Sequence, residues 1–199
     1  MNKESIAMGL AGVLLGLLGG WIIGTQQGTG SQAVPSPAQS AAPPSGGQQS
    51  ARTVDENRVA QLRADAEKDA RNPAPRVQLG NLYFDAERYD EAARWYAAAL
   101  EIDPKQVDVS TDLGIAYYYS NQPDRALEQF DRSLQIDPTH SKTLLNIGVV
   151  RAFGKQDLDG AAKAWQRVIE VAPNSEEAAR AKQGLDGIRS AHPAGRGSS

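Results

Sequence analysis

One pattern of residues occurs three times in this chain at a spacing of 34 positions. Each copy begins with an aliphatic residue and a glycine, then continues with an alanine, an aromatic residue and a proline. The three copies are Leu79, Gly80, Ala92, Tyr96 and Pro104; Leu113, Gly114, Ala126, Phe130 and Pro138; and Ile147, Gly148, Ala161, Trp165 and Pro173. The third copy carries one extra residue, which we expect in its inner loop. A period of this length, with two helical patterns in each copy, predicts an all-α helical-hairpin solenoid.

The repeated glycines fall in the middle of predicted helices, where glycine costs about 1 kcal/mol relative to alanine. Their recurrence at one spacing indicates that a neighbouring helix occupies the place of a side chain. We expect Ala92, Ala126 and Ala161, on the second helix of each pair, to be the small residues opposite these glycines. The repeated prolines end the second helices, because proline cannot continue a helix.

These residues resemble the tetratricopeptide repeat, whose pattern is Trp-x-x-Leu-Gly-x-x-Tyr followed by Ala, Phe, Ala and Pro. The resemblance covers about half of the chain, residues 73–173, and departs most in the third copy, where Arg151 stands in the Tyr slot and Val168 in a small slot. It implies three repeats, at 73–106, 107–140 and 141–175. Their helices are expected near 74–87, 90–102, 107–120, 123–136, 141–153 and 158–171.

A further helix is predicted on each side of the repeats, within a domain at 53–190. Apolar residues at helical spacing predict a leading helix at 53–71, which would cover the edge of the first repeat. After the last repeat, Asn174 with Glu177 resembles a capping box that opens a capping helix at 175–189. Residues 190–199 are expected to form a flexible tail.

The N-terminal 24 residues predict a membrane anchor. Residues 6–24 carry no charge, and a helix of that length spans about 28 Å, close to the hydrocarbon thickness of a bilayer. Lys3 precedes this stretch and no Lys or Arg follows until Arg52, so the positive-inside tendency places the N-terminus in the cytoplasm and the repeats outside it. In a bacterium this layout means the inner membrane, crossed once, with a periplasmic repeat domain.

Two alternatives concern the same stretch. A cleaved signal peptide would also export the domain, but its apolar core is usually shorter, about 7–15 residues. The glycines at 12, 16 and 20 share one helix face, where small residues allow close helix contact in lipid. Copies of the chain would associate through that face.

Residues 25–52 predict a disordered linker. They are rich in Gln, Gly, Ser, Ala and Pro, and no charge occurs before Arg52. Such a composition buries no core, and as a flexible coil it would separate its ends by about 30 Å.

The sequence offers no residues for catalysis, a metal or a cofactor. It has no cysteine, and its two histidines, His140 and His192, lack partners at metal-ligand spacing, so we expect both to be solvated. No phosphate loop or nucleophile motif is present. Residues 53–190 hold 18 Lys and Arg (21 less three outside) and 23 acids (24 less Glu4), a balance of −5 that disfavours nucleic acid.

The resemblance places a binding site on the concave face, where the first helix of each tetratricopeptide repeat lines a groove for a peptide or partner helix. The residues expected to line it are Asn81, Phe84, Asp85, Asp112, Ile115, Tyr118, Tyr119, Lys142, Leu145, Val149 and Phe153. Tyr117 fills a core slot, so Tyr118 and Tyr119 either face the groove or pack on the adjacent repeat. Asn81 and Lys142 match two of five residues of the family's carboxylate clamp, which disfavours that binding mode.

The sequence therefore favours a non-enzymatic, membrane-tethered adaptor for a protein or peptide client. The layout resembles bacterial membrane-anchored repeat proteins, including those that present apocytochrome in c-type cytochrome maturation, and this resemblance implies a role there or in another envelope assembly process. The alternative is a structural organiser that forms homo-oligomers through its anchor and stacked repeats.

Overall fold

A computed structural model describes residues 53–191 of the 199-residue chain, and within them the polypeptide forms eight α-helices. The helices are α1 Glu56–Lys68, α2 Ala74–Asp85, α3 Tyr89–Ile102, α4 Val107–Tyr119, α5 Pro123–Ile136, α6 Ser141–Val149, α7 Leu158–Val171 and α8 Glu176–Ala191. A π-helical segment, Val150–Gly154, continues α6. The predicted anchor (1–24), the whole predicted linker (25–52) and most of the predicted tail (192–199) lie outside the described residues.

Helices α2 and α3, α4 and α5, and α6 and α7 pack as three consecutive hairpins, with α1 before them and α8 after them. The predicted all-α helical solenoid is confirmed. Each terminal helix buries one face only: α1 buries Val59, Leu62 and Ala66, and α8 buries Ala178, Ala181 and Gly184. No helix within residues 53–191 is long and apolar enough to span a bilayer.

The structure corrects the predicted partners of the repeated glycines. A Cβ built on Gly80 would lie 2.5 Å from the ring of Tyr96, and at Gly114 and Gly148 the ring of the equivalent aromatic residue would be closer still. The rings of Phe130 and Trp165 occupy those two places. The glycines therefore make room for an aromatic side chain of the second helix, and the rings lie nearer to these positions than the fully buried Ala92, Ala126 and Ala161.

The turn inside each hairpin has the same backbone geometry. Glu87, Asn121 and Gln156 have φ of 61°, 59° and 55°, the left-handed conformation that ends many helices. The following amide bonds back to the first helix in the first two turns, from Arg88 to the Tyr83 carbonyl and from Gln122 to the Tyr117 carbonyl, both at 2.9 Å. These turns fix the ends of α2 and α4, which carry the aromatic residues of the predicted groove.

The extra residue of the third repeat does not lie in the inner loop as expected. It is accommodated within the helix, because the Lys155 amide donates to the Val150 carbonyl at 3.0 Å, a π-type bond between residues five apart. The expected helix at 141–153 is therefore α-helical only to Val149. Beyond the widened turn, Ala152 is the buried residue, while Arg151 pairs with Asp157 at 2.7 Å.

The cap of the last helix also differs from the prediction. Ser175, rather than Asn174, precedes the helix, and its hydroxyl accepts a 3.1 Å bond from the Ala178 amide. Glu177 bonds to Ser175 and to Ser141, and although partial burial works against it, the pKa of Glu177 is lowered. The last helix is thus tied to the start of α6.

We predict that Gly114→Ala destabilises residues 53–191 by about 1–3 kcal/mol, because the new methyl group would overlap the Phe130 ring and force the pair apart. Urea unfolding followed by circular dichroism measures the change. Adding Phe130→Leu should give a double variant less destabilised than the sum of the two single changes. Gly154→Ala, where the nearest atom would be 3.0 Å away, is the milder control. Strict additivity of the two changes would contradict the assignment.

Candidate functional site

The predicted groove residues all belong to the first helices of the three hairpins. Asn81, Phe84 and Asp85 lie on α2, Asp112, Ile115, Tyr118 and Tyr119 on α4, and Lys142, Leu145, Val149 and Phe153 on α6 and its π-helical continuation. Asn81, Asp85 and Tyr119 are exposed, Leu145 is buried, and the others are half-buried. Their role in binding stays a prediction.

The centre of this surface is an aromatic patch formed by Phe84, Tyr89, Tyr118 and Tyr119. The Tyr89 and Tyr119 rings are stacked at 4.9 Å between centroids, and the Phe84 ring meets both edge-on, at 5.2 and 5.8 Å. Tyr118 lies against Tyr119 at 5.6 Å. With 39% of its surface accessible, Tyr119 is one of two large hydrophobic side chains exposed in the described part of the chain. The patch joins the first two hairpins and keeps one aromatic ring in solvent.

The structure shows that the tyrosines after Tyr117 pack on adjacent repeats, and that they also face a binding groove stays a prediction. Tyr119 packs on Phe84 and Tyr89 of the preceding hairpin yet remains exposed, whereas Tyr118 approaches the following hairpin, where a Cβ on Gly154 would lie 3.1 Å from its ring. Burial raises the pKa of both hydroxyls. The sequence analysis did not include Tyr89 in the site. Tyr89 is the first residue of a second helix, whereas the groove was expected to be lined by the first helices.

Polar groups beside the patch form the acidic part of the surface. The Tyr96 hydroxyl donates to Asn81 Oδ1 at 2.8 Å. Its pKa is raised mainly by burial and further by the carboxylates of Asp112 and Asp85, which places both acids near it. Lys142 Nζ lies 2.7 Å from a carboxylate oxygen of Asp112, and this ion pair balances the charge of the lysine within the protein. Asp85 remains as a carboxylate exposed to solvent.

The third hairpin supplies mainly apolar packing. Leu145, Val149 and Phe153 belong to the hydrophobic cluster around Trp165, whose indole N–H donates to the Leu145 carbonyl at 3.1 Å. Leu145 is therefore part of the core rather than an open contact residue, because its side chain is only 9% accessible. Ile115 packs on the central cluster around Phe130.

His140 is not the solvated residue that the sequence led us to expect. Its side chain is 16% accessible, with Nε2 3.3 Å from Asp108 and Nδ1 2.7 Å from the hydroxyl of Thr143. Thr143 continues to Thr111 at 2.7 Å, and the Thr111 hydroxyl donates to the Val107 carbonyl at 2.8 Å. Since Thr111 donates its hydrogen to the carbonyl, Thr143 donates to Thr111.

This row of an acid, a histidine and a hydroxyl resembles a catalytic relay in composition only. Thr143 and Thr111 are completely buried, so no substrate can reach either hydroxyl, and the row ends on a backbone carbonyl. It connects α4 with α6 and thereby fixes the angle between the second and third hairpins. Within residues 53–191, no group of acidic and histidine side chains is arranged to hold a metal ion.

We predict that Thr143→Val lowers the free energy of unfolding by about 1–3 kcal/mol, because it removes the two 2.7 Å hydrogen bonds that the buried Thr143 hydroxyl makes to His140 Nδ1 and to the Thr111 hydroxyl. In the double variant Thr111→Val with Thr143→Val, both buried hydroxyls are absent, so the loss should be smaller than the sum of the single losses. Chemical denaturation of the four proteins completes the cycle. If the double variant loses at least as much unfolding free energy as the two single variants together, the two threonines are not coupled and the prediction is wrong.

Sequence profiles of known families match the repeats directly. A TPR repeat profile matches residues 80–120, and two tetratricopeptide repeat profiles match residues 108–140 and 142–175. Among curated protein sequences, none matches this chain significantly.

Solved structures with the same architecture include three of different origin. The crystal structure of MamA has a TM-score of 0.59 at 18% identity and covers 68% of this chain and 75% of that protein. The first TPR of Spaghetti (RPAP3), bound to an HSP90 peptide, has a TM-score of 0.56 at 27% identity and covers 63% and 97%. The type III secretion chaperone SycD of Yersinia enterocolitica, in complex with a peptide of the translocator YopD, has a TM-score of 0.53 at 17% identity and covers 57% and 89%.

The likenesses below 25% identity concern the fold alone, and the profiles identify the repeats independently of them. The described part of this chain is an all-helical solenoid of tetratricopeptide repeats.

Proposed function

We propose that this protein is a non-enzymatic adaptor that holds a segment of a client protein along its concave groove. The observation that carries the proposal is the aromatic patch, in which the ring of Tyr119 is accessible and Phe84 is followed in the chain by the exposed Asp85. Rigid aromatic side chains with a hydroxyl are favoured contact residues in protein interfaces. The peptides bound by RPAP3 and SycD support a peptide as the ligand class.

The charges of the groove favour a client with basic residues. Asp112 is paired with Lys142, so the one cation expected to oppose the acids is already engaged, and Asp85 has no ion-pair partner among the described residues. The same pairing makes Lys142 unsuitable for clamping a client's terminal carboxylate. We infer an amphipathic client with bulky apolar anchors and some Lys or Arg.

The cellular setting of the proposal rests on the sequence of the first 52 residues. A charge-free stretch at 6–24 would tether the adaptor to the bacterial inner membrane, with the repeats in the periplasm. We extend the proposal to envelope assembly, with c-type cytochrome maturation as the first pathway to test.

The alternative function is a structural organiser whose copies associate by stacking their repeats. The ends of the solenoid do not support such stacking. The outer faces of α1 and α8 are exposed and carry mainly polar or small residues, as in terminal helices that close a repeat array. The glycines at 12, 16 and 20, on which the anchor-mediated association depends, lie outside the described residues.

We predict that Tyr119→Ala in the full chain weakens client capture about thirtyfold, which corresponds to about 2 kcal/mol for a central aromatic contact. The client is identified by mass spectrometry after purification from detergent-solubilised membranes, and its capture is then titrated. Ile136→Ala is the matched control, since Ile136 is the other large hydrophobic residue exposed within residues 53–191 and is the last residue of α5.

Asp85→Asn should reduce the same capture at low salt and have little effect at high salt, because exposed charges are screened there. A folded Tyr119→Ala protein that retains its client undiminished would place the binding surface elsewhere, most simply on the convex face.

We also predict that the full chain stays with the membrane fraction after high-salt and alkaline washing. Recovery of a soluble form that begins near Val34 would show instead that residues 6–24 belong to a cleaved signal peptide. This measurement tests the tether separately from the groove.

A further inference from the structure

The packing of the aromatic patch leaves one face of the Tyr119 ring uncovered. The ring centroids of Phe84, Tyr89 and Tyr119 form a triangle with sides of 4.9, 5.2 and 5.8 Å. Tyr89 is stacked on Tyr119 and covers one of its faces, while Phe84, at similar distances from both rings, lies beside the stacked pair. The accessible part of Tyr119 is therefore its outer face, turned away from Tyr89, and the edge that is free of Phe84.

The turn that joins α2 to α3 is acidic. Residues 85–91 contain four carboxylates and one arginine, a balance of −3. The arginine, Arg88, is already engaged, because it lies over the Tyr83 ring and pairs with Glu91. The other three carboxylates are exposed and form no ion pair with any cation of residues 53–191; they belong to Asp85, Glu87 and Asp90.

One of these carboxylates lies at the same junction between hairpins as the patch. Asp90 follows Tyr89 in α3, and its Oδ1 accepts a 3.4 Å hydrogen bond from the side-chain amide of Gln122. Gln122 belongs to the second hairpin and follows Tyr119 by three positions. The stacked rings and this hydrogen bond thus connect the same two segments of chain, and a cation at Tyr119 lies in the negative potential of the acidic turn.

Arginine already covers other aromatic rings in this domain. The guanidinium carbon lies 4.0 to 5.7 Å from the ring centroid in three pairs, Arg125 with Tyr117, Arg88 with Tyr83, and Arg63 with Trp95. No cation of residues 53–191 lies over Tyr119 in this way. Because the face of an aromatic ring is negative, an accessible ring close to unpaired carboxylates attracts a cation.

The shape of the patch favours a guanidinium over other cations. A guanidinium is planar and weakly hydrated, so it stacks flat on a ring while its N–H groups still bond to carboxylates. A lysine ammonium is compact and strongly hydrated, and it cannot stack. A quaternary ammonium is recognised by a cage of rings, whereas the stack of Tyr89 on Tyr119, at 4.9 Å between centroids, leaves no space between the two rings.

We propose that Tyr119 binds an arginine side chain of the client, with the guanidinium on the outer face of the ring and its charge balanced by the carboxylates of the acidic turn. This inference rests on the proposed function, because it names the client residue that contacts the patch. The apolar anchors of the client then lie further along the groove, on the half-buried Ile115, Val149 and Phe153.

The experiment uses residues 51–199, which form a compact unit of their own, and needs no client. The probes are acetyl-Leu-X-Leu-amide peptides in which X is arginine, lysine or citrulline, the neutral isostere of arginine. The aromatic NMR signals of Tyr119 follow each titration. We expect the arginine peptide to bind about fivefold more tightly than the citrulline peptide. It should also bind more tightly than the lysine peptide, and the advantage over citrulline should shrink at high salt.

Variants assign this preference to the ring and to the charge. Tyr119→Phe should keep the preference for arginine over citrulline, whereas Tyr119→Leu should remove it, because leucine offers apolar surface without an aromatic face. Asp90→Asn should reduce the preference. Asp131→Asn is the matched control, since it removes one exposed carboxylate from α5, away from the acidic turn, and should leave the preference unchanged.

Equal binding of the arginine and citrulline peptides would overturn the inference, as would an arginine peptide that shifts no Tyr119 signal or a preference that survives Tyr119→Leu. Equal binding of the arginine and lysine peptides would overturn the choice of arginine. If the preference is absent but Tyr119→Ala still loses the client, only this inference fails, and the client contacts the patch through an apolar residue. A clear preference with undiminished client capture by Tyr119→Ala would instead refute the proposed function.

Discussion

The contact between a glycine of the first helix and an aromatic ring of the second determines how closely each hairpin packs. At Gly80, Gly114 and Gly148 the space that a methyl group would need is filled by Tyr96, Phe130 or Trp165, each almost completely buried. Close packing of this kind loses free energy when either partner changes volume. The helix angles, and with them the direction in which each groove side chain points, follow from these three contacts. Trp165 packs against two glycines, because Gly184 of α8 meets the edge of its ring opposite to Gly148.

Contacts between consecutive hairpins then set the curvature of the groove, and they differ from one junction to the next. At the first junction Tyr119 stacks on Tyr89, with Asp90 and Gln122 3.4 Å apart beside it. The second junction uses the row from His140 to Thr111 and an ion pair, at 2.6 Å, between Lys155 and Asp124. The first junction keeps an aromatic ring in solvent, whereas the second is closed by buried hydroxyls. This difference is the reason that the proposed client contact is assigned to the first two repeats.

The architecture was predictable because the residues that determine it recur. Three copies of glycine, aromatic residue and proline at one period specify the hairpins and their order. The partners within the hairpin were not predictable from spacing, because an alanine and an aromatic ring of the second helix both lie within reach of the glycine. The insertion before Asp157 was visible in the sequence, but only hydrogen bonding decides whether an extra residue widens a helix or lengthens a loop. His140 was misjudged because two of its partners, Asp108 and Thr111, come from the preceding hairpin, about 30 residues away.

The residues that distinguish this solenoid from others of its architecture occupy positions that the repeat leaves free. Tyr119 follows the core tyrosine slot by two residues, and neither Asp85 nor Phe153, its counterparts in the other hairpins, is a tyrosine. The repeat pattern therefore does not dictate a tyrosine at position 119. Its ring is nevertheless held rigidly by Phe84 and Tyr89, so a ligand that contacts it need not first immobilise it. The proposed contact with a client would account for a rigid, partly exposed aromatic side chain at a position where the repeat does not require one.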